Sequence, residues 1–82
     1  MTITMKLFGP AAQRIGRSEI IIHISAKTVN CRTLRLAMGQ QYPQLAELMP
    51  SGRLAVNCAY GADDLPISEH DEVAWIQAVS GG

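Results

Sequence analysis

The chain of 82 residues closes on Gln77-Ala78-Val79-Ser80-Gly81-Gly82, a stretch without a charged side chain. The chemistry available there belongs to the backbone. Glycine lacks Cβ, so Gly81 and Gly82 fit a narrow channel and leave a terminal carboxylate open to an incoming reagent. Fully extended, such a tail reaches about 20 Å. A carboxylate with a pKa of roughly 3.5 is anionic at neutral pH and a poor electrophile, so reaction there requires activation as an acyl phosphate or acyl adenylate. The chain has no G-x-x-x-x-G-K-[ST] loop to hold ATP, so a separate enzyme has to supply that step. The competing reading is an inert frayed end. With glycine at about 7% of residues, two terminal glycines arise by chance in roughly one chain in two hundred, so the dipeptide needs a fold that presents it.

The other reactive side chains form weaker constellations. Cys31 and Cys58 are far apart and outside any C-x-x-C spacing, so both read as reduced, small buried hydrophobes, Cys31 in a helix and Cys58 in a strand. His23 lies among isoleucines on the polar face of a strand, with no second ligand at metal spacing. Asp63-Asp64, His70 and Asp71-Glu72 fall in turns, where adjacent carboxylates are ordinarily solvated, and no metal site is expected. Trp75 and Ile76, just before the tail, are core or partner anchors; alternation should send one inward and one outward. With Val79 and Ser80 they complete the expected partner-binding set.

The elements that would position this tail can be read from hydrophobic periodicity. Ile3, Met5 and Leu7 alternate with Thr2, Thr4 and Lys6, a half-buried strand ended by Gly9-Pro10. Ala11 to Ile15 predicts a short helical turn closed by Gly16, and Glu19 to Ile24 a second strand antiparallel to the first. Thr28 reads as the N-cap of the main helix, with Val29, Leu34, Ala37, Met38 and Gln41 on one face and fraying near Tyr42, ahead of Pro43. Leu45 and Leu48 suggest one more turn before Pro50-Ser51-Gly52. Strands are expected over residues 54–60 and 72–76, with Leu65-Pro66-Ile67 at an edge or in a loop.

Seven basic against seven acidic side chains give no net charge, so nucleic acid and anionic membranes are poor candidate partners. No apolar run approaches a membrane span, and the start at Met1-Thr2 has no signal-peptide pattern, so a cytoplasmic protein is expected. The length gives one domain with one modest core and little room for an enclosed active site. Two strands, one helix and further strands pack as two layers. The expected fold class is α+β, a ubiquitin-like β-grasp, with a mixed sheet of four to five strands, one main helix on one face, a domain over residues 1–76 and a flexible tail over residues 77–82.

The segments LFGPAAQRIG (7–16), TVNCRTLRLAM (28–38), LAVN (54–57) and DEVAWIQAVSGG (71–82) together resemble the small, sulfur-carrying subunit of molybdopterin synthase. The resemblance implies that the Gly82 carboxylate is adenylated by an E1-like, ATP- and magnesium-using adenylyltransferase. It further implies that Gly82 becomes a thiocarboxylate through a sulfur donor protein and delivers sulfur to a pterin precursor in the large subunit, within a heterotetramer. The chain itself would be a non-catalytic sulfur donor with no tightly bound cofactor. A carrier serving thiamine or another thiolated product, or a β-grasp binding module with inert glycines, is the alternative. The family often has two prolines after the last strand; Gln77-Ala78 stands here instead and is expected to make the tail less stiff.

Overall fold

The structure is a computed structural model that describes residues 1–77. Strand β1, Thr2–Leu7, pairs antiparallel with β2, Glu19–His23, in a register that sets Ile3 opposite Ile22 and Met5 opposite Ile20. Because side chains alternate along a strand, this register places Ile3, Met5, Leu7, Ile20 and Ile22 on one buried face. Helix α1, Gly9–Ile15, joins the two strands, starts with Pro10 in its first turn and buries Ala11. It stops at Gly16, whose φ of 82° is left-handed and whose N–H donates to the Ala12 carbonyl at 2.8 Å.

The main helix α2 spans Cys31–Gln41 and begins later than its sequence suggests. Thr28 is not its cap. Val29–Asn30 forms a short strand β3, held extended by antiparallel pairing with β6, Pro66–Ile67, and Asn30 caps the helix instead. Its Oδ1 accepts from the Thr33 amide at 2.8 Å and the Thr33 hydroxyl at 2.9 Å. Cys31, Leu34, Ala37 and Met38 cover the buried face of the sheet. Gln41, assigned to that face by periodicity, turns outward: its Nε2 donates to the His23 carbonyl at 2.7 Å and its Oε1 accepts from the His23 amide at 3.1 Å. Tyr42 ends the helix, as expected, and its hydroxyl donates to the Ile21 carbonyl. Two 3-10 turns, Pro43–Leu45 and Met49–Ser51, come next, with Leu45 buried.

The sheet is completed by β4, Gly52–Val56, β5, Ala59–Tyr60, and β7, Val73–Gln77. Its order is β2-β1-β7-β4-β5, with β7 parallel to β1 and antiparallel to β4 at the centre. The continuous strand expected over residues 54–60 is a hairpin. Val56 pairs with Ala59, and Asn57 and Cys58 between them have φ of 52° and 70°, the signature of a type I′ turn. The sequence signal was masked because Cys58 occupies a position where glycine is usual, and its apolar character read as strand. The last strand includes Gln77, one residue past the boundary drawn from sequence at 76.

Trp75 is fully buried at the centre of β7. Its indole lies against Gly52, where any Cβ would overlap the ring at Cζ2, Cε2 and Nε1. The whole backbone at Gly52 also belongs to a paired strand, opposite Gln77, so it has little freedom to retreat. Gly52→Ala is therefore expected to destabilise the fold by about 3 kcal/mol, the upper range for overpacking a filled core. Urea unfolding followed by Trp75 fluorescence measures it, and a loss below about 0.5 kcal/mol, the scatter of neutral surface changes, would refute this packing account.

Candidate functional site

Alternation that buries one face of the sheet turns the other outward, and the part of that outer face around β7 is apolar. Ala74 and Ile76 of β7, Ala55 of β4 and Tyr60 of β5 line a shallow groove of about 390 Å³ with Phe8, Lys6, Cys58 and Glu72. Phe8 and Tyr60 are 53% and 57% exposed, so two large rings present much of their surface at the groove. Arg53 stacks on Tyr60, its guanidinium carbon 4.3 Å from the ring centroid. Lys6 and Glu72 pair across the floor at 3.7 Å. An ion pair this exposed contributes little to folding, and its groups stay available to a docking surface.

The rim of the groove is built by hydrogen bonds around the Asn57-Cys58 turn. The Asn57 amide donates to the Glu72 carbonyl at 2.7 Å, and the Glu72 amide returns a bond to Asn57 Oδ1 at 3.0 Å. Asn57 Nδ2 donates to Asp71 Oδ1 at 3.0 Å, while Asp71 Oδ2 accepts from the Ser68 amide at 2.8 Å. The Ser68 amide, and then Asn57, hold the Asp71 carboxyl below its ordinary pKa. Asp71 and Glu72 are thus ordered as a structural clip, with Glu72 also placed at the groove. The clip sets Cys58 on the surface, its Sγ 4.0 Å from Glu72 Oε1, which corrects the buried-strand reading. Cys31 is buried as expected, and burial, then Asp63, raises its thiol pKa. His23 is exposed on β2, and among the described residues no group of three or more His, Cys, Asp and Glu side chains is arranged to hold a metal.

Of the expected partner-binding residues, Ile76 lies in the groove, half-buried. Trp75 points the other way into the core, so its assignment as a direct partner contact is corrected. The inward register of Leu54, Trp75 and Leu7 across three adjacent strands leaves it no outward route. Val79, Ser80, Gly81 and Gly82 lie outside the described residues. Phe8, Ala55, Tyr60 and Ala74 were missed from sequence, although a signal existed: β7 reads Val-Ala-Trp-Ile, apolar on both faces, where a half-solvated strand would alternate with polar residues. Gln77, expected to loosen the start of the tail, is instead bound on every side. Its Oε1 accepts from the Trp75 indole N–H at 3.2 Å, and its Nε2 donates to the Leu48 carbonyl at 2.9 Å and to the Ser51 hydroxyl.

A mixed sheet holding one crossing helix on one face, with the parallel central pair and an apolar outer face, defines a ubiquitin-like β-grasp domain. The ThiS family matches residues 5–82, and the chain belongs to it. No curated protein sequence matches it. Among solved structures it is similar to SAMP1 of Haloferax volcanii, with 19% identity over all of both chains and a TM-score of 0.82. It is also similar to a putative molybdopterin converting factor subunit 1 of Pyrococcus furiosus, with 20% identity, 96% of this chain and 99% of that one covered, and a TM-score of 0.81. A third likeness is to a chain in a complex of subunits 1 and 2 of the molybdopterin-converting factor of Helicobacter pylori 26695, with 22% identity over all of both chains and a TM-score of 0.67. At these identities the likeness is one of fold. No helix among the described residues is long and apolar enough to cross a membrane.

The placement of the two thiols is directly measurable. In the native protein a thiol-reactive dye is expected to label Cys58 within minutes and Cys31 only after unfolding. Equal labelling of both under native conditions would refute the burial of Cys31.

Proposed function

We propose that this protein is a sulfur carrier whose Gly82 carboxyl is the reactive group, and that it acts as the small subunit of a molybdopterin synthase. The observation that carries the reading is the family match, which runs from the first strand through Gly81-Gly82. The division of labour it requires suits the described residues, which offer a docking face on the outer side of the sheet. An E1-like adenylyltransferase, using its own ATP and magnesium, joins the carboxylate to AMP and releases pyrophosphate. Hydrosulfide released from a donor protein then attacks the acyl carbon, forming the C–S bond as the C–O bond to AMP breaks, and leaves the thiocarboxylate. In the large subunit the thiocarboxylate sulfur bonds to the pterin precursor, displacing an oxygen leaving group, and water then cleaves the C–S bond, so that sulfur stays on the precursor and the carboxylate returns. No tightly bound cofactor is required of this chain.

The groove on the outer sheet face supports a partner-docking role because it is continuous with the strand that leads to the tail. Ile76 lies in the groove and the backbone proceeds directly to residues 77–82, so a partner seated on Phe8, Tyr60 and Ile76 meets the tail at its own surface. Occupancy by a large subunit is supported by the Helicobacter pylori protein, which was solved as a complex of subunits 1 and 2. A carrier serving thiamine or another thiolated product would keep the activation chemistry and differ in the second partner.

Intact mass after incubation with ATP, magnesium, a matching activating enzyme and a sulfide source is expected to rise by sulfur minus oxygen, mapped to Gly82. A single residue appended after Gly82 is expected to abolish the gain with the fold unchanged. Sulfur transfer that survives the extension would exclude the terminal-carboxylate mechanism, and a conjugate to a protein amine would instead indicate a modifier, the role in the full name of the Haloferax volcanii protein SAMP1, small archaeal modifier protein 1. Ile76→Ala is expected to weaken large-subunit binding by about 1 kcal/mol through lost apolar burial, measured by titration calorimetry. Unchanged affinity in the folded variant would remove Ile76 from the interface.

A further inference from the structure

We infer that Gln77 is a positioning residue that fixes the direction in which the tail leaves the domain, an inference that rests on the carrier reading. Three of the four hydrogen-bonding positions of its side-chain amide are directed at fixed points. The Oε1 atom takes the indole N–H of Trp75, a side chain that is itself immobile in the core. The Nε2 atom gives its two protons to the Leu48 carbonyl and the Ser51 hydroxyl. Ser51 is tied in turn to the Leu48 carbonyl at 3.3 Å, so both acceptors belong to one closed turn. The Gln77 backbone meanwhile pairs with Gly52. Main chain and side chain are thus anchored at different points, the main chain on Gly52 of β4 and the side chain on Trp75 of β7 and on Leu48 and Ser51 of the turn that leads into β4.

Several anchors at separate points define an orientation, where one would leave a swivel. Five residues fully extended reach about 17 Å, so over that reach a rotation of roughly 30° at Gln77 corresponds to a displacement of roughly 9 Å. A misdirected tail has to be recaptured by the partner at an entropic cost, but chemistry on a correctly seated carboxylate is unaltered. Loss of the clamp therefore has a kinetic signature different from loss of a reacting group: KM rises and kcat holds. Proline restricts a chain through its own ring; here the same restraint would come from hydrogen bonds to neighbours.

The test is ATP–pyrophosphate exchange by the matching activating enzyme, run against increasing concentrations of the full-length protein, with thermal unfolding of each variant measured in parallel. Gln77→Met keeps the length of the side chain and removes its donors. Ser51→Ala removes one acceptor without touching the tail and remains informative if the first variant folds poorly. At a temperature where both are folded, Gln77→Met is expected to raise KM about tenfold, corresponding to one lost orienting restraint, with kcat within about twofold. Ser51→Ala is expected to raise KM by a smaller factor in the same direction. Exchange with the wild-type chain but an unchanged KM for both folded variants would overturn the positioning role and leave the carrier reading intact. A loss confined to kcat would overturn it too. No exchange with the wild-type chain, by an enzyme active on its own carrier, would overturn the carrier reading and with it this use of Gln77.

Discussion

The indole of Trp75 is the largest fully buried side chain in the molecule, and it sits on β7, the strand inserted between β1 and β4. Neither strand pairs with the other, so the five-stranded sheet exists only because β7 joins them. A ring of that size at the centre imposes conditions on its surroundings. Position 52 has to be glycine, since the ring occupies the volume of a side chain there. The indole N–H has to find an acceptor in a place water does not reach freely, and Gln77, two residues along the same strand, provides it. The register of β4 on β7, the fold of the turn before β4 and the hydrogen bonds of Gln77 are therefore tied to one packed ring.

Much of this architecture was legible in the sequence because its strongest signals are periodic. The alternation in Thr2–Leu7 and the β-branched run in Glu19–His23 have one reading each, and Gly16 and Pro43 mark where their helices stop. The start of α2 was not legible in the same way. Thr28 and Asn30 are both good caps, and the choice between them is made by the pairing of Val29–Asn30 with Pro66–Ile67, distant in sequence. The turn at Asn57-Cys58 was hidden because a cysteine at positive φ breaks the usual rule, and the Asn57 hydrogen bonds to Asp71 and Glu72 that hold it there are again non-local.

The candidate site divides along the same line. The Gly81-Gly82 signal is a matter of residue type and position alone, and it lies outside the described residues. The groove could not be read in that way, because Phe8, Ala55, Tyr60 and Ala74 come from four separate segments and become neighbours only through the sheet order. Trp75 and Ile76 illustrate the limit of period-two reasoning: it separates them onto opposite faces but does not say which face is covered by the helix. That choice is made by the shared register of Leu7, Trp75 and Leu54.

The treatment of the β2 edge bears on how the molecule meets others. Strand β2 ends the sheet on one side, and an uncovered strand edge is a template for indiscriminate pairing with any extended chain. Here the Gln41 side chain binds the His23 amide and carbonyl as a neighbouring strand would, and Tyr42 takes the Ile21 carbonyl. The helix lends the sheet a false last strand made of side chains. Backbone pairing is thereby blocked along the His23 end of the β2 edge, while the groove on the outer face is left open to contact through side chains. Contacts of that kind release more readily than a zipped strand and give less opening to self-assembly into fibres.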